Sequence, residues 1–254
     1  MTDYLGIIDR GVGGLGFYSK LREQSGRPVL YFADSGHAPY GKVSKNTLRK
    51  RLQKIIDFLH EEGASRVVIA CNSASAAYAD TDLVKGIISF GISSVLNRLK
   101  TTTDINKLTL IAGRSTVQSG IYRRLFAQHG VAIKQRIAQQ LSINIENGLM
   151  SGDQFDHDLE KILAPIRHYD LMLHACTHYP AANLAISKIM KPGCLIVDPV
   201  DDLVSWVNKN WPADKNKNET QFFCSGDLDI FKSSSEKSFQ IRPENLQHIA
   251  IDCL

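Results

Sequence analysis

Two cysteines in this chain directly follow apolar runs, and each opens a short stretch of small and hydroxyl-bearing residues. Cys71 follows the run at residues 67–70, and Cys176 follows the run at residues 171–175. A buried strand that leads into a helix places its last residues at the carboxyl edge of an α/β sheet, where such folds hold ligands. The backbone N–H groups at the start of a helix also favour a thiolate. We therefore expect both thiols to face a ligand site.

The two cysteine motifs belong to a duplicated pattern. Residues 4–18 and residues 108–122 both read as a strand, a tight turn that contains an arginine, and a helix that carries Gly-x-Tyr. Asp9 precedes Cys71 by 62 positions, and Gly113 precedes Cys176 by 63 positions. A fixed offset of this kind is typical of a duplicated unit. The sequence thus predicts two similar α/β lobes that face each other, with one thiol from each.

Apolar runs alternate with helical segments, which is the pattern of a mostly parallel sheet flanked by helices. Strands are predicted at residues 5–8, 29–33, 67–70, 108–112, 171–175, 195–197, 222–224 and 249–251. Helices are predicted at residues 14–22, 47–60, 117–128, 156–163 and 202–209. After a polar connection at residues 210–219, the chain is expected to rejoin the first lobe. The predicted lobes are residues 1–95 plus 210–254 and residues 96–209.

The composition excludes several classes of protein. The 254 residues are 43% hydrophobic and 22% charged, as in ordinary globular enzymes. No apolar run approaches the roughly 20 residues that cross a bilayer, so we expect a cytoplasmic protein without membrane contact. The net charge of +4 is mild, and the basic cluster at residues 49–51 reads as a solvated helix face. One short basic run is weak evidence for nucleic-acid binding, so no nucleic-acid partner is expected.

The alternative for any cysteine in an apolar stretch is a small buried core residue. We keep that interpretation for Cys194, Cys224 and Cys253, and the matched context favours a functional role for Cys71 and Cys176. A structural disulfide is not expected, because the count of five is odd and no secretory signal is recognised. No Cys-x-x-Cys pair is present either, so the sequence predicts no metal site.

The glycine-rich segment at residues 11–14 does not fit a phosphate cradle. It lacks the Lys-Ser/Thr of a P-loop, and its glycine spacing differs from that of the dinucleotide fingerprint. We interpret it as a tight strand-to-helix turn that lets a small ligand approach the backbone. The turn-rich segment at residues 33–41 reads either as part of the site or as an ordinary surface loop.

Five segments together resemble the glutamate racemases of the cofactor-independent aspartate/glutamate racemase superfamily. They are GIIDxGVGGL at residues 6–15, YFAD at 31–34, PYG at 39–41, ACNSAS at 70–75 and ACTHYP at 175–180. The resemblance runs from about Gly6 to Asp198. It implies two α/β lobes related by a pseudo-twofold axis, with the active site between them. It also implies an acidic amino-acid substrate, no cofactor, no metal and a possible homodimer.

The same resemblance implies roles for particular residues. Racemisation removes the α-proton from one face and returns a proton to the other, so one thiolate acts as base while the opposite thiol acts as acid. Cys71 would work on the D-isomer with help from Asp9, and Cys176 on the L-isomer with help from His178. The implied substrate-binding residues are Arg10, Pro39, Tyr40, Gly41, Asn72, Ser73, Thr116, Thr177 and Glu146.

Three of these residues have simpler interpretations. Asp9 would serve equally as a cap for the helix that follows it. His178 would serve as a structural histidine whose ring nitrogens are bonded. Glu146, in the segment Ile-Glu-Asn-Gly, would serve as an ordinary carboxylate on a helix surface.

The chain departs from the family pattern at several positions. Arg10 stands where the family has Ser, Ser89-Phe90 stands where it has Glu-Pro, and Gly113 stands where it has Thr. A guanidinium is longer than Ser and binds carboxylates bidentately, so Arg10 bears on the choice of substrate. The alternative is that Arg10 turns away and pairs with an acidic residue such as Asp34.

Three functional hypotheses follow. The first is a glutamate racemase that supplies D-glutamate for peptidoglycan. The second is a racemase of the same mechanism for aspartate or another acidic amino acid. The third is a catalytically weak homologue that acts as a ligand-binding or regulatory protein. The joint presence of Asp9, Cys71, Cys176 and His178 argues against the third.

Overall fold

A computed structural model of the chain describes residues 4–37, 39–102, 105–212 and 219–251. Its strands are β1 Tyr4–Asp9, β2 Val29–Ala33, β3 Ala64–Ile69, β4 Val84–Gly86, β5 Leu108–Ala112, β6 Lys134–Ile137, β7 Leu171–Ala175, β8 Leu195–Val197, β9 Gln221–Cys224 and β10 Leu246–His248. Its α-helices are α1 Leu15–Ser25, α2 Lys45–Glu61, α3 Asn72–Ser75, α4 Ile87–Thr101, α5 Arg114–Ser119, α6 Ile121–Gln128, α7 Gln139–Glu146, α8 Asp153–Leu163, α9 Asn183–Ile189, α10 Val200–Asn210 and α11 Leu228–Phe239. Short 3-10 helices lie at Tyr40–Lys42 and Tyr179–Ala182.

The strands form two sheets that repeat one topology. The first sheet has the order β10-β9-β2-β1-β3-β4, and the second has the order β6-β5-β7-β8. Strands β2-β1-β3-β4 therefore correspond in order to β6-β5-β7-β8, and every pairing in both sheets is parallel. This confirms the predicted two-lobed α/β class with parallel sheets flanked by helices. The duplicated sequence pattern therefore corresponds to a repeated sheet topology.

The chain end rejoins the first sheet, as predicted. Strand β9 pairs with β2, and β10 pairs with β9. The strand predicted at residues 249–251 is wrong, because β10 lies three residues earlier. Ile249 and Ile251 do pack against the core of the first sheet, but the carbonyl of Ile251 accepts a hydrogen bond from Arg51 Nη1 at 2.9 Å instead of joining a ladder.

Other predicted elements needed correction. The helix predicted at residues 117–128 is two helices, α5 and α6, because Gly120 between them has a φ of 64°. That left-handed conformation is accessible to glycine and breaks the helix there. Strands β4 and β6 were missed because they are short and carry polar side chains. Helices α4, α7, α9 and α11 were also missed, whereas α3 begins after Cys71, where a helix was expected. Helix α4 contains Gly91 and several β-branched residues, which weaken a helix signal.

Each sheet buries apolar side chains on both faces. All residues of β2, β5 and β7 are buried, which explains their near-continuous apolar sequences. Helix α4 packs in the core cluster of β5 and β7, whereas α10 packs in the cluster of β1 and β2. The lobe bounds at residues 95/96 and 209/210 stay a prediction, and this packing favours grouping α4 with the second sheet and α10 with the first. Within the described ranges, no helix is long and apolar enough to cross a membrane.

Candidate active site

A cavity of about 570 Å³ lies between the two lobes, at the carboxyl ends of their central strands. Cys71 follows β3 and Cys176 follows β7, which are equivalent strands of the repeated topology. The cavity brings together all the residues predicted for the site except Asp9. They are Arg10, Pro39, Tyr40, Gly41, Cys71, Asn72, Ser73, Thr116, Glu146, Cys176, Thr177 and His178.

Cys71 is a buried thiol at the start of α3. Burial raises the pKa of Cys71 well above its ordinary value, and the Asp9 charge raises it further. The backbone N–H groups of Ala74 and Ser73 lower the pKa, as expected at a helix start, but they do not offset the burial. Helix α3 is only four residues long, so its dipole is small. Cys71 is therefore a protonated thiol at neutral pH, contrary to the expectation that its helix would favour a thiolate.

Cys176 lies at one end of a chain of contacts that includes His178 and Glu146. Its Sγ is 3.6 Å from His178 Nδ1, and His178 Nε2 bonds Glu146 Oε2. Burial alone would lower the pKa of His178, but the Glu146 carboxylate and the Cys176 sulfur raise it well above its ordinary value. The pKa of Glu146 is lowered against the effect of burial, mainly by the charge of His178. His178 is thus an imidazolium held between a carboxylate and a thiol.

These contacts bear on the interpretation of both side chains. Both ring nitrogens of His178 have partners, as in a structural histidine, but one of those partners is the sulfur of Cys176 in the cavity. Glu146 ends α7, but it is not an ordinary surface carboxylate, since it is bonded to His178 and lines the cavity.

Asp9 lies behind the cavity wall and is fully buried. Its Oδ1 accepts a hydrogen bond from the Gly11 N–H at 3.1 Å, and its Oδ2 accepts one from Thr177 Oγ1 at 2.9 Å. Burial raises the pKa of Asp9 above its ordinary value, although the nearby His178 charge lowers it. Asp9 does not cap α1, because that helix starts at Leu15 with no side-chain cap. The carboxyl group instead joins the first lobe to the second.

The glycine segment at residues 11–14 forms the predicted tight turn, and side chains of the second lobe approach it closely. A Cβ at Gly11 would overlap the carboxylate of Glu146. A Cβ at Gly13 would lie 2.5 Å from both His178 Nδ1 and Thr177 Oγ1. Only a backbone without side chains leaves room for these groups.

Polar side chains at the start of α3 meet the second lobe. Asn72 Oδ1 accepts a hydrogen bond from Tyr122 Oη at 2.6 Å, while its Nδ2 is buried and has no partner among the described residues. Ser73 Oγ lies 2.8 Å from Ser115 Oγ and 3.2 Å from Thr116 Oγ1. The amide nitrogen of Asn72 is therefore a buried donor without a partner among the described residues, on a side chain that lines the cavity.

Tyr40 lines the cavity, but its hydroxyl is committed to another group. It donates a hydrogen bond to Asp34 Oδ2 at 2.8 Å. Asp34 is fully buried and also binds Arg51 through two contacts of 2.6 and 2.7 Å. Burial would raise the pKa of Asp34, but Arg51 holds it below its ordinary value. The interpretation of residues 49–51 as a solvated face is therefore wrong for Arg51, which is buried in this ion pair.

Arg10 lines the cavity and does not pair with Asp34. The acceptors of Asp34 are taken by Arg51, Tyr40 and Ser225. The Arg10 charge instead lowers the pKa of Glu146.

Sequence reasoning missed part of the cavity wall. The additional lining residues are Lys42, Gly113, Arg114, Ser115, Gln118, Gln139, Ser142, Ile143, Asn147 and Ala175. The repeat points to some of them. Gly113, Arg114 and Ser115 directly follow β5, and the equivalent strand β1 ends at Asp9 and is followed by Arg10 and Gly11. The missed residues on α7, which are Gln139, Ser142 and Ile143, had no comparable motif.

The remaining described cysteines lie away from the cavity. Cys224 is buried in the core of the first sheet, and Cys194 packs at the edge of the second. Cys253 lies outside the described residues. In the same described ranges, no three His, Cys, Asp or Glu side chains group in a way that would hold a metal ion.

Several known proteins of similar sequence and fold are described as glutamate racemases. No protein-family model matches the chain. It is 29% identical over 273 residues to a glutamate racemase of Desulforudis audaxviator, and the match covers 97% of both chains. The crystal structure of glutamate racemase from Campylobacter jejuni is similar with a TM-score of 0.78 at 26% identity, covering 92% of this chain and 96% of that one.

A second solved structure supports the fold. Glutamate racemase from Francisella tularensis in complex with D-glutamate has a TM-score of 0.82 at 23% identity, covering 98% of this chain and 97% of that one. In sequence and in fold, the chain is similar to glutamate racemases along nearly its whole length.

Proposed function

We propose that this chain is a cofactor-independent racemase that interconverts L- and D-glutamate by proton transfer between two thiols. The observation that carries the proposal is the equivalent placement of Cys71 and Cys176 at one cavity. The relatives' description as glutamate racemases, and the D-glutamate bound to the Francisella tularensis protein, favour glutamate as the substrate.

The two thiols take opposite roles in each direction of the reaction. Imidazolium His178, held by Glu146, lies beside the Cys176 sulfur. Burial keeps Cys71 protonated. In the L-to-D direction, the Cys176 thiolate takes the α-proton of L-glutamate and becomes a thiol. The Cys71 thiol gives its proton to the opposite face of the carbanion and becomes a thiolate. The D-to-L direction reverses both transfers.

Asp9 and Asn72 support this chemistry in separate ways. An ionised Asp9 near Cys71 raises the proton affinity of that sulfur, which makes the Cys71 thiolate a stronger base toward the D-isomer. The carbanion formed at the α-carbon spreads its charge into the α-carboxylate. We assign the binding of that carboxylate to Asn72, whose Nδ2 has no partner among the described residues, with Ser73 and Thr177 beside it in the cavity wall.

We extend the proposal to the role and setting of the enzyme. D-glutamate formed in the cytoplasm would enter peptidoglycan, and a homodimer is the proposed assembly. Light scattering of the purified protein tests the assembly, and D-glutamate auxotrophy of a deletion strain tests the role.

A second candidate substrate is aspartate or another acidic amino acid. The observation that favours it is Arg10 in the cavity wall. Compared with the Ser of the family pattern, an arginine leaves less free space in the cavity and adds a positive charge. No observation favours a purely regulatory protein, because the contacts that would activate Cys176 are all present.

The direct test is a racemisation assay with purified protein on L- and D-glutamate and on L- and D-aspartate, followed by chiral chromatography. We expect turnover of glutamate in both directions, and we expect Cys71→Ser and Cys176→Ser variants to lose it. Absence of turnover on every acidic amino acid would refute the proposal.

A further inference from the structure

The Arg10 guanidinium lies in the wall of the cavity without a hydrogen-bond partner among the described residues. The side chain is half-buried, it lines the cavity, and its Nε is buried without a hydrogen-bond partner among the described residues. Among the described residues, the guanidinium has neither a hydrogen-bond partner nor a salt bridge, and the half-buried side chain borders the cavity, so its N–H donors can bind a ligand there. A guanidinium offers five N–H donors in a planar arrangement that matches a carboxylate.

The acidic groups nearest to this region are already bound to other partners. The Glu146 carboxylate lies close enough for the Arg10 charge to affect it, but its hydrogen bond goes to His178. Asp34 is held by Arg51, Tyr40 and Ser225. Within the part of the chain that the structure describes, no carboxylate forms a salt bridge with Arg10.

A dicarboxylic substrate brings two carboxylates into the cavity. The α-carboxylate must lie beside the α-carbon between the two sulfurs, where Asn72 offers its free amide donor. The side-chain carboxylate needs its own donor, and the Tyr40 hydroxyl gives its proton to Asp34. Arg10 is the cationic side chain of the wall that has a buried donor without a partner.

We infer that Arg10 determines specificity by binding the side-chain carboxylate of the substrate, and so selects dicarboxylic amino acids over their neutral amides. This inference rests on the proposed racemase function. It defines the substrate class by charge, because a neutral amide of the same shape would leave the guanidinium without its counter-charge.

The test compares glutamate with glutamine, which has nearly the same shape but no side-chain charge. The wild type, Arg10→Gln, Arg10→Lys and the control Arg123→Gln, which alters an exposed arginine on α6, are assayed for kcat/KM on both amino acids. Arg10→Gln should lower kcat/KM for glutamate by roughly 10- to 100-fold and reduce the preference for glutamate over glutamine by a similar factor. Arg10→Lys should fall between the wild type and Arg10→Gln, and Arg123→Gln should match the wild type.

Circular dichroism spectra and melting temperatures establish that each variant is folded before its kinetics are compared. An active wild type whose preference for glutamate survives Arg10→Gln would overturn the role of Arg10 alone. An equal loss on glutamate and glutamine would also overturn it, because Arg10 would then act on the α-carboxylate or through Glu146. A wild type inactive on all acidic amino acids would instead refute the racemase function.

Discussion

Thr177 of the second lobe donates a hydrogen bond to the fully buried Asp9 of the first lobe, with 2.9 Å between Oγ1 and Oδ2. Thr177 lies next to Cys176, and Asp9 influences the proton affinity of Cys71. The contact therefore links the two halves of the site. It also supplies one of the two hydrogen bonds that the structure gives the Asp9 carboxyl group.

The first prediction concerns this bond. Thr177→Val keeps the shape of the side chain but leaves Asp9 Oδ2 buried without its donor. We expect a loss of about 1–3 kcal/mol in the free energy of unfolding, measured by urea denaturation. Thr102→Val, which alters a partly exposed threonine at the end of α4, is the matched control. A Thr177→Val variant as stable as the wild type would show that the bond contributes nothing.

The second prediction concerns Glu146 as the partner of His178. Glu146→Gln removes the charge that keeps His178 protonated, so Cys176 loses the cation beside its sulfur. We expect α-proton exchange from L-glutamate in heavy water to slow by roughly 100-fold. Glu62→Gln, at an exposed position, should behave as the wild type. Unchanged exchange in Glu146→Gln would contradict the proposed chain of contacts.

The same pair predicts a pH dependence of stability. The pKa of His178 is raised in the folded state, so its contribution is complete below the ordinary value of 6.5 and is lost as pH rises through the folded-state pKa. The pKa of Glu146 is lowered, so its contribution is complete above 4.5 and is lost as pH falls through its folded-state pKa. We expect the stability difference between wild type and Glu146→Gln to be largest from about pH 4.5 to 6.5 and to narrow on either side. Urea denaturation across pH measures it, and a pH-independent difference would contradict the ion pair.

The glycine turn gives a fourth prediction. Gly11→Ala and Gly13→Ala push a methyl group into Glu146 or into His178 and Thr177, so both should lose most of the racemase activity. Gly16→Ala is the control, because its Cβ would meet only the Phe239 ring at an ordinary distance of 3.5 Å. Melting temperatures separate loss of fold from loss of site geometry. Full activity in Gly13→Ala would show that the turn can shift to make room for a methyl group without disturbing His178 and Thr177.

The sequence predicted the two-lobed class and the cavity thiols because those features repeat along the chain. Cys71 and Cys176 end equivalent strands, and parallel strands end at one edge of a sheet. The partners of these residues were harder to predict. Glu146 and His178 are 32 positions apart and meet only when α7 packs beside the end of β7. Likewise, the burial of Arg51 depends on Asp34, which belongs to a different element.

The protonation states could not be read from local sequence either. A cysteine at a helix start suggests a thiolate, yet the pKa of Cys71 is raised because the surrounding lobes exclude water from its sulfur. Desolvation depends on the packing of both lobes, and a short motif carries no information about it.

In the proposed mechanism, Cys71 removes the α-proton of the D-isomer only, and Cys176 removes that of the L-isomer only. The measurement is α-proton exchange in heavy water, followed by NMR, for the wild type, Cys71→Ala, Cys176→Ala and the control Cys194→Ala. We predict that Cys71→Ala fails to exchange the α-proton of D-glutamate and Cys176→Ala fails with L-glutamate. Neither variant should racemise, and Cys194→Ala should match the wild type, since Cys194 lies outside the cavity. Racemisation at the wild-type rate by either Cys71→Ala or Cys176→Ala would contradict the two-thiol account.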